Sequence, residues 1–271
     1  MSKHMIVHSI LFLALAMSFS NTQADIVHIC DDTAEFAPYI YRSKISNQEN
    51  NSSLTGATKE LLDEIFNTIG IDYKLDLLPW KRCLIEVEKF GTNKYYEVFS
   101  NGSYSKERSD KYYTTSAIYR THEGLWYSKV KFPHGIPIKT ASDLNQFSLC
   151  GVLGYNYATL KKLGVTTEIS TGAKSVKSAL LKVAKNRCDI FIGGLEDTYG
   201  GSSVGIYDIP QSVISIPLPG VKSNSYHLFV SKSSPRAYEL LTKLNQAILL
   251  LQHQGIANKI YEKYLPNGDG L

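Results

Sequence analysis

The chain has 271 residues, with 29 Lys and Arg against 25 Asp and Glu. A net charge of +4 is too mild for a surface that binds nucleic acid through phosphate contacts. The length exceeds the ~100–200 residues that one hydrophobic core usually serves, so two lobes are expected.

Lys3 and His4 lead into an apolar run from Ile10 to Phe19, and a short Thr22-Gln23-Ala24 site follows. This is the pattern of a cleaved secretory signal over residues 1–24. The run falls short of the ~20 residues of a spanning helix. The first cysteine, Cys30, stands too far beyond Ala24 to carry a lipid anchor. The mature protein is therefore expected free in the periplasm, as a monomer.

Residues 26–30 read as a strand. Ala57, Leu61, Ile65 and Ile69 then share a helical face over 57–69, and Gly70 stops that helix. Tyr73 to Leu78 reads as a second strand and Trp80 to Phe90 as a helix with Cys83, Val87 and Phe90 inward, ended by Gly91. Tyr95 to Asn101 is a third strand. The second half repeats this order: strand 149–153, helix 155–163, strand 167–170, helix 175–186 and strand 189–192. Such alternation predicts an α/β fold of two lobes, each a mixed, mostly parallel sheet flanked by helices. Gly124 to Ser128 and His227 to Ser231 are strand-like connectors, which makes a hinge crossed twice. The expected division is 25–125 for the first part of lobe 1, 126–226 for lobe 2 and 227–271 for the return to lobe 1. Ser234 is a candidate N-cap before Pro235, with Tyr238, Leu241, Leu244 or Asn245, Ile248 and Leu251 as the apolar stripe of a final long helix. Residues 46–53 form a polar loop without a core-forming residue.

Four cysteines, Cys30, Cys83, Cys150 and Cys188, favour disulfides in an oxidising compartment. The absence of a CxxC string argues against zinc or redox-motif chemistry. Three pairings are possible. Cys30–Cys83 and Cys150–Cys188 are preferred because each stays within one half of the chain, and buried free thiols are the alternative. His28, His122, His134, His227 and His253 show no metal-ligand spacing. No G-x-S-x-G or HExxH string marks a hydrolase. Neither cofactor nor metal is expected, and the chain is not read as an enzyme.

Eight strings, in order, resemble the family 3 periplasmic solute-binding proteins, which include the polar amino-acid receptors of ABC transporters. In the first half they are Phe36-Ala37-Pro38-Tyr39, Leu54-Thr55-Gly56, Leu78-Pro79-Trp80 and Ser103-Tyr104-Ser105-Lys106-Glu107-Arg108. In the second they are Ser142-Asp143-Leu144, Gly151-Val152-Leu153-Gly154, Asn186-Arg187-Cys188-Asp189 and Gly255-Ile256-Ala257-Asn258-Lys259-Ile260-Tyr261. The resemblance implies capture of a small polar, carboxylate-bearing solute between the lobes by hinge closure, for an inner-membrane ABC permease. It implies that Arg108 grips the carboxylate. The alternative for Arg108 is a surface ion pair with Glu107 or Asp110. Ser100, Asn101 and Ser103 would line the pocket, or form an ordinary turn. Phe36 and Trp80 would sandwich the solute, or belong to the core. Gly154, Tyr155 and Asn156 would offer a helix start to an anion.

Three departures stand out. Tyr155 and Asn156 are bulkier than the pair the family usually carries at that helix start, which implies a differently shaped solute. Gly194 occupies the position where amino-acid receptors of this family present an acid to the solute's ammonium, so Glu196 or Asp197 becomes the candidate replacement from a shifted loop, with solvated surface acids as the equal alternative. Tyr96 replaces a further acid of the third strand. A few relatives on this fold are dehydratases or sensor modules, which leaves sensing by docking on a membrane receptor kinase or cyclase, or catalysis, as alternatives.

Overall fold

The computed structural model describes residues 26–43, 53–221 and 223–265. The expected signal segment and all of the polar loop except Ser53 lie outside them. Lobe 1 begins with β1 (Val27–Asp32), the short pair β2 (Tyr41–Arg42) and β3 (Leu54–Thr55), α1 (Ala57–Ile69) and β4 (Tyr73–Leu78). It continues through α2 (Trp80–Glu88), α3 (Phe90–Asn93), β5 (Tyr96–Ser103), α4 (Lys106–Lys111), β6 (Tyr112–Thr114) and β7 (Tyr119–Thr121). Lobe 2 holds β8 (Glu123–Ser128), a 3-10 turn (Ala141–Gln146), β9 (Leu149–Val152), α5 (Ala158–Lys162) and β10 (Ile169–Ala173). It closes with α6 (Val176–Ala184), β11 (Ile190–Gly194), α7 (Leu195–Ser203) and β12 (Val213–Pro217), before β13 (Asn224–Ser231), α8 (Ala237–His253) and α9 (Ile256–Tyr264) return to lobe 1.

The first sheet has the order β4-β1-β5-β13-β6, with β7 also on β13, and the second the order β10-β9-β11-β8-β12. β1 runs parallel to β4 and β5, whereas β13 lies antiparallel to β5. In the second sheet β9 is parallel to β10 and β11, and β8 is antiparallel to β11 and β12. Each lobe is thus a parallel β-α-β half finished by an antiparallel strand. The carboxyl ends of the parallel strands, where open α/β sheets place their ligands, face the gap between the lobes.

Helix α1 forms where its apolar spacing predicts. Ala57, Leu61, Leu62, Ile65 and Phe66 are buried, and Gly70 caps the helix at φ 65, a left-handed conformation that glycine adopts without strain. This face packs on Val27, Ile29, Val98, Leu228 and Val230 of the sheet and on Leu244 and Ile248 of α8. The last long helix buries Leu244, Ile248 and Leu251 as expected and departs from the expected stripe in its first turns. Ala237, Leu240, Leu244, Ala247, Ile248 and Leu251 face the core, while Tyr238 is 70% exposed. Ser234 Oγ accepts from Arg236 N at 3.2 Å, the bond of an N-cap, and donates to Glu97 Oε1 at 2.5 Å, with Pro235 and Arg236 in the turn ahead of the helix.

Gly91 does not end α2. It sits in the turn α3, where its N–H donates to Ser233 Oγ at 2.9 Å and a Cβ would stand 3.1 Å from Ser233 Cβ. The helix expected over 155–163 shortens to α5 because Tyr155 and Asn156 make contacts in the gap between the lobes. β6, β7, β12, α4 and α7 have no counterpart in the sequence reading. Both preferred disulfides form, Cys30–Cys83 with Cα atoms 5.7 Å apart and Cys150–Cys188 with 6.0 Å. The chain passes between the sheets twice, from Thr121 to Glu123 and from Pro217 to Asn224, a few residues ahead of the expected divisions. The two crossings touch: Leu218 N donates to Glu123 O at 2.9 Å, and Asn224 Nδ2 to Glu123 Oε2 at 2.5 Å.

Candidate functional site

β1 ends in Cys30-Asp31-Asp32, and the Cys30–Cys83 bridge ties that end to the first turns of α2, which begins at Trp80. Asp31 is 2% exposed. One of its oxygens accepts from Asp32 N at 2.7 Å, and the other from Ser100 Oγ at 2.5 Å and Asn101 Nδ2 at 2.8 Å. Burial outweighs these donors and pushes the carboxyl up to about 7. Asn101 adopts φ 53, a left-handed conformation that Asn tolerates better than most side chains. Its Oδ1 accepts from Thr58 Oγ1 at 2.8 Å and Tyr119 OH at 2.9 Å. Asp31, Ser100 and Asn101 thus form a saturated network under the floor of the gap. Asp32 differs: its Oδ1 accepts from Ala34 N at 3.0 Å, and its side chain lines the cavity above.

That cavity encloses about 340 Å³, part of it open to solvent, between Asp31, Asp32, Asn101, Ser103 and Arg108 on the polar side and Phe36, Trp80, Tyr155 and Tyr226 on the aromatic side, with Asn156 at the edge. Phe36 stacks on Tyr39 with centroids 5.2 Å apart and lies 5.7 Å from Tyr226 and 6.3 Å from Tyr155. Tyr226 stacks on Tyr119 at 4.8 Å, and Tyr119 on Tyr39 at 4.0 Å. This ring ladder backs the cavity with a rigid wall.

Arg108 is held from behind. Ser105 caps α4 by accepting from Arg108 N at 3.1 Å. The guanidinium NH1 donates to Ser103 O at 2.8 Å and Ser103 Oγ at 3.0 Å, and the group lies 5.6 Å from the Trp80 ring. The acids offered by sequence go elsewhere, Glu107 to Lys111 at 3.9 Å and Asp110 to Lys106 at 3.0 Å. Among the described residues no carboxylate lies within ion-pair distance of Arg108. It is nonetheless only 9% exposed, and burial holds its pKa below the usual arginine value. A withdrawn cation without a counter-ion is costly unless an anion joins it.

Lobe 2 meets this surface through the loop after β9. Gly154 O accepts from Trp80 Nε1 at 3.1 Å and from Arg108 NH2 at 3.5 Å, and Asn156 Nδ2 donates to Tyr104 O at 3.0 Å. Gly154 has φ +82, and a Cβ there would stand 2.8 Å from Trp80 Cδ1. The close approach needs a glycine. These bonds hold the two lobes in contact around the cavity.

The family model for bacterial extracellular solute-binding proteins, family 3, matches residues 33–267. The chain belongs to this family. Three solved structures illustrate how widely the fold of these family 3 proteins is shared. The arginine-, lysine-, histidine-binding protein of Geobacillus stearothermophilus is 19% identical, with 90% of this chain and 96% of that one covered at TM-score 0.71. A substrate-binding protein of an ABC uptake transporter from Streptococcus pneumoniae, solved with bound histidine, is 17% identical, with coverage of 90% and 94% at TM-score 0.70. A histidine kinase sensor domain with similarity to periplasmic binding proteins is 15% identical, with coverage of 89% and 96% at TM-score 0.70. Comparison with curated protein sequences yields no match. No helix among the described residues is long and apolar enough to cross a membrane.

In this family 3 protein the cavity gathers Phe36, Trp80, Asn101, Ser103, Arg108, Tyr155 and Asn156 of the residues singled out by sequence. Ser100 stands behind Asp31, and Gly154 contributes its carbonyl at the lobe contact. Glu196 is not brought to the cavity, because its Oε2 accepts from His122 N at 2.7 Å and its Oε1 lies 2.6 Å from His122 Nδ1. Asp197 points instead into the room left by the missing side chain of Gly194, where a Cβ would stand 1.8 Å from Asp197 Oδ1. Asp32 and Tyr226 line the cavity without having been singled out by sequence. Paired acids at the end of the first strand, just before Phe36-Ala37-Pro38-Tyr39, are the signal that marks Asp32. Tyr226 has none, since the folding back of β13 places it.

Proposed function

We propose that this family 3 solute-binding protein captures an amino acid between its lobes, holds the carboxylate on Arg108 and delivers the solute to an inner-membrane ABC permease. The observation that carries this reading is Arg108, a withdrawn guanidinium fixed by Ser103, facing an interlobe cavity and without an acid partner among the described residues. A carboxylate there gains paired, charge-assisted donors in a site of low water content. The aromatic wall and Asp32 suit a polar or basic side chain. The arginine, lysine and histidine named for solved relatives agree with such a lining. Binding to both lobes shifts the equilibrium toward the closed form. The solute leaves unchanged, and export to the periplasm accompanies this role.

Thermal-shift screening of the twenty standard amino acids, followed by calorimetry, tests the reading. Arg108→Ala is expected to weaken the best ligand by about 100-fold or more while the fold persists, because truncating one side of a buried charge pair costs about 2–5 kcal/mol. Unchanged affinity would reject the role of Arg108. Sensing is favoured only by the likeness to a kinase sensor domain. Pull-down of a receptor kinase in place of a permease by the liganded protein would establish it.

A further inference from the structure

Charge is unevenly spread over the molecule. From Leu144 to Cys188 the chain carries seven Lys and Arg against one acid, Glu168, so this part of lobe 2 holds +6, and the rest of a chain whose total is +4 sums to −2. Five of the seven gather on α6 and its flanks. The helix buries Val176, Ala179, Leu180 and Val183, and at about 100° per residue this turns Lys177, Leu181 and Lys185 outward with Lys182 beside them. Lys174 precedes the Ser175 cap, and Arg187 follows the last turn. Lys174, Lys177, Lys185 and Arg187 are exposed, Lys182 is half-buried, and Leu181 is 41% exposed in their midst.

Four other helices neutralise their bases locally. Lys59 pairs with Asp63 on α1, Arg82 with Glu86 on α2, Lys106 with Asp110 on α4 and Lys243 with Glu239 on α8, each four residues apart. Helix α6 has no acid of its own. Asp189 is taken by Lys131. Glu168 just ahead of β10 and Asp208 next to Tyr207, the acids on segments packed beside the helix, pair with none of the five cations among the described residues. Helix stability does not ask for this arrangement. Cations at the carboxyl end suit the helix dipole, which accounts for Lys182, Lys185 and Arg187, but Lys174 and Lys177 stand at the amino end, where the dipole opposes them.

The partner that completes such a face is anionic. Lys182 and Lys185 are adjacent on the helix surface and Lys177 lies about 12 Å from Lys185 along the axis, so over the ~8–10 Å screening length of physiological salt the cations act as one field. Four of the five are lysines, point charges on flexible stems that meet an anionic layer without fixed geometry, whereas a carboxylate of defined position is better met by the fork of an arginine. We propose that the outer face of α6 rests the protein on the phosphate headgroups of an anionic bilayer, through Lys174, Lys177, Lys182, Lys185 and Arg187. Each lysine near such a surface contributes about five-fold to the partition, so the contact is reversible and fades with salt. α6 supplies no residue to the solute cavity, which leaves capture and membrane contact compatible.

Flotation with vesicles of phosphatidylcholine, alone or mixed with phosphatidylglycerol, tests this. Wild type is expected to float with the phosphatidylglycerol vesicles, to stay behind with the neutral ones, and to be released as salt rises from about 0.01 M to about 0.15 M and the screening length falls from ~30 to ~8 Å. The double variant Lys177→Glu and Lys185→Glu is expected to lower the partition by about thirty-fold or more, the product of two such lysines, with the melting temperature of wild type. Lys74→Glu with Lys259→Glu makes the same change in net charge on exposed lysines of lobe 1 that have no ion-pair partner among the described residues, and is expected to leave the partition near the wild-type value. No preference of wild type for phosphatidylglycerol, native partition in the α6 variant, or equal losses in the two double variants overturns the proposal. Retention on immobilised polyglutamate without vesicle binding would assign the face to an acidic protein, and self-association abolished by the α6 variant, again without vesicle binding, would assign it to a second copy of the chain. Either result overturns the membrane contact.

Discussion

Asp197 allows a quantitative test of how the cleft stores acids. It is 2% exposed, and its Oδ1 has no hydrogen-bond partner among the described residues. Burial, and then the charges of Glu123 and Glu196, push its carboxyl up from 3.8 to about 8. The native state therefore keeps a proton that the unfolded chain releases once pH passes about 4, so stability falls as pH rises from about 4 to about 8. Each pH unit above the unfolded value costs about 1.4 kcal/mol. At pH 7 the cost reaches about 4 kcal/mol as an upper bound, and relaxation of the site and water penetration bring it to about 2 kcal/mol. Asp197→Asn preserves the shape and cannot ionise. Burying its amide adds about 1–2 kcal/mol of destabilisation that does not change with pH. The slope is thus the readout. Asp31, raised to about 7, remains in both proteins and cancels in the difference, whereas Glu123, whose charge helps to raise Asp197, titrates with it, so the slope reports Asp197 together with its effect on Glu123. Urea unfolding followed by Trp80 and Trp126 fluorescence, at intervals between about pH 4.5 and about pH 8.5, is expected to show Asp197→Asn gaining on wild type by about 2–4 kcal/mol across the range. Parallel stability curves would refute the assignment of a protonated, buried Asp197.

Gly154→Ala places a Cβ against Trp80 at a left-handed φ and is expected to weaken solute binding about ten-fold or more by holding the lobes apart. Small-angle scattering should then show a larger radius for the solute-saturated variant than for wild type, and an unchanged radius would count against the contact. Trp80→Phe keeps a ring beside Arg108 but loses the bond to Gly154 O, so calorimetry should show a loss of about 3–10-fold, whereas Trp80→Ala should lose more. Removal of either disulfide as a double alanine variant, across sequence separations of 53 and 38 residues, is expected to cost about 3–4 kcal/mol in urea unfolding. A melting curve unmoved by reduction would contradict this.

What the sequence made legible follows the range of the interactions involved. Helix α1 could be read to its ends because its spacing and Gly70 are local signals. The phase of α8 could be read at Leu244, Ile248 and Leu251 but not in its first turns, where Ala237 and Leu240 take the buried face in place of Tyr238 and Leu241. In the cleft, Trp80 lies at the start of a helix that is legible in the sequence after Pro79, whereas Arg108 is marked by the resemblance alone, its short helix α4 and the Ser105 cap emerging only in the fold. The acids behave otherwise. Glu196 and Asp197 are neighbours in sequence, and successive helix positions point about 100° apart. One turns out to the hinge at His122 and the other turns in beneath Gly194. Which of them turns in is decided by the empty space at Gly194 and not by either acid's own surroundings in the chain. Glu123 is a step further from local control, because its position opposite Gly194 exists only once β8 and β11 pair. The glycine that removes an acid from the expected position therefore creates the room in which one acid settles and leaves uncovered, across the ladder, the face on which another stands. Exchange of Gly194 for a larger residue would disturb both together, through Asp197 by contact and through Glu123 by crowding the opposite strand.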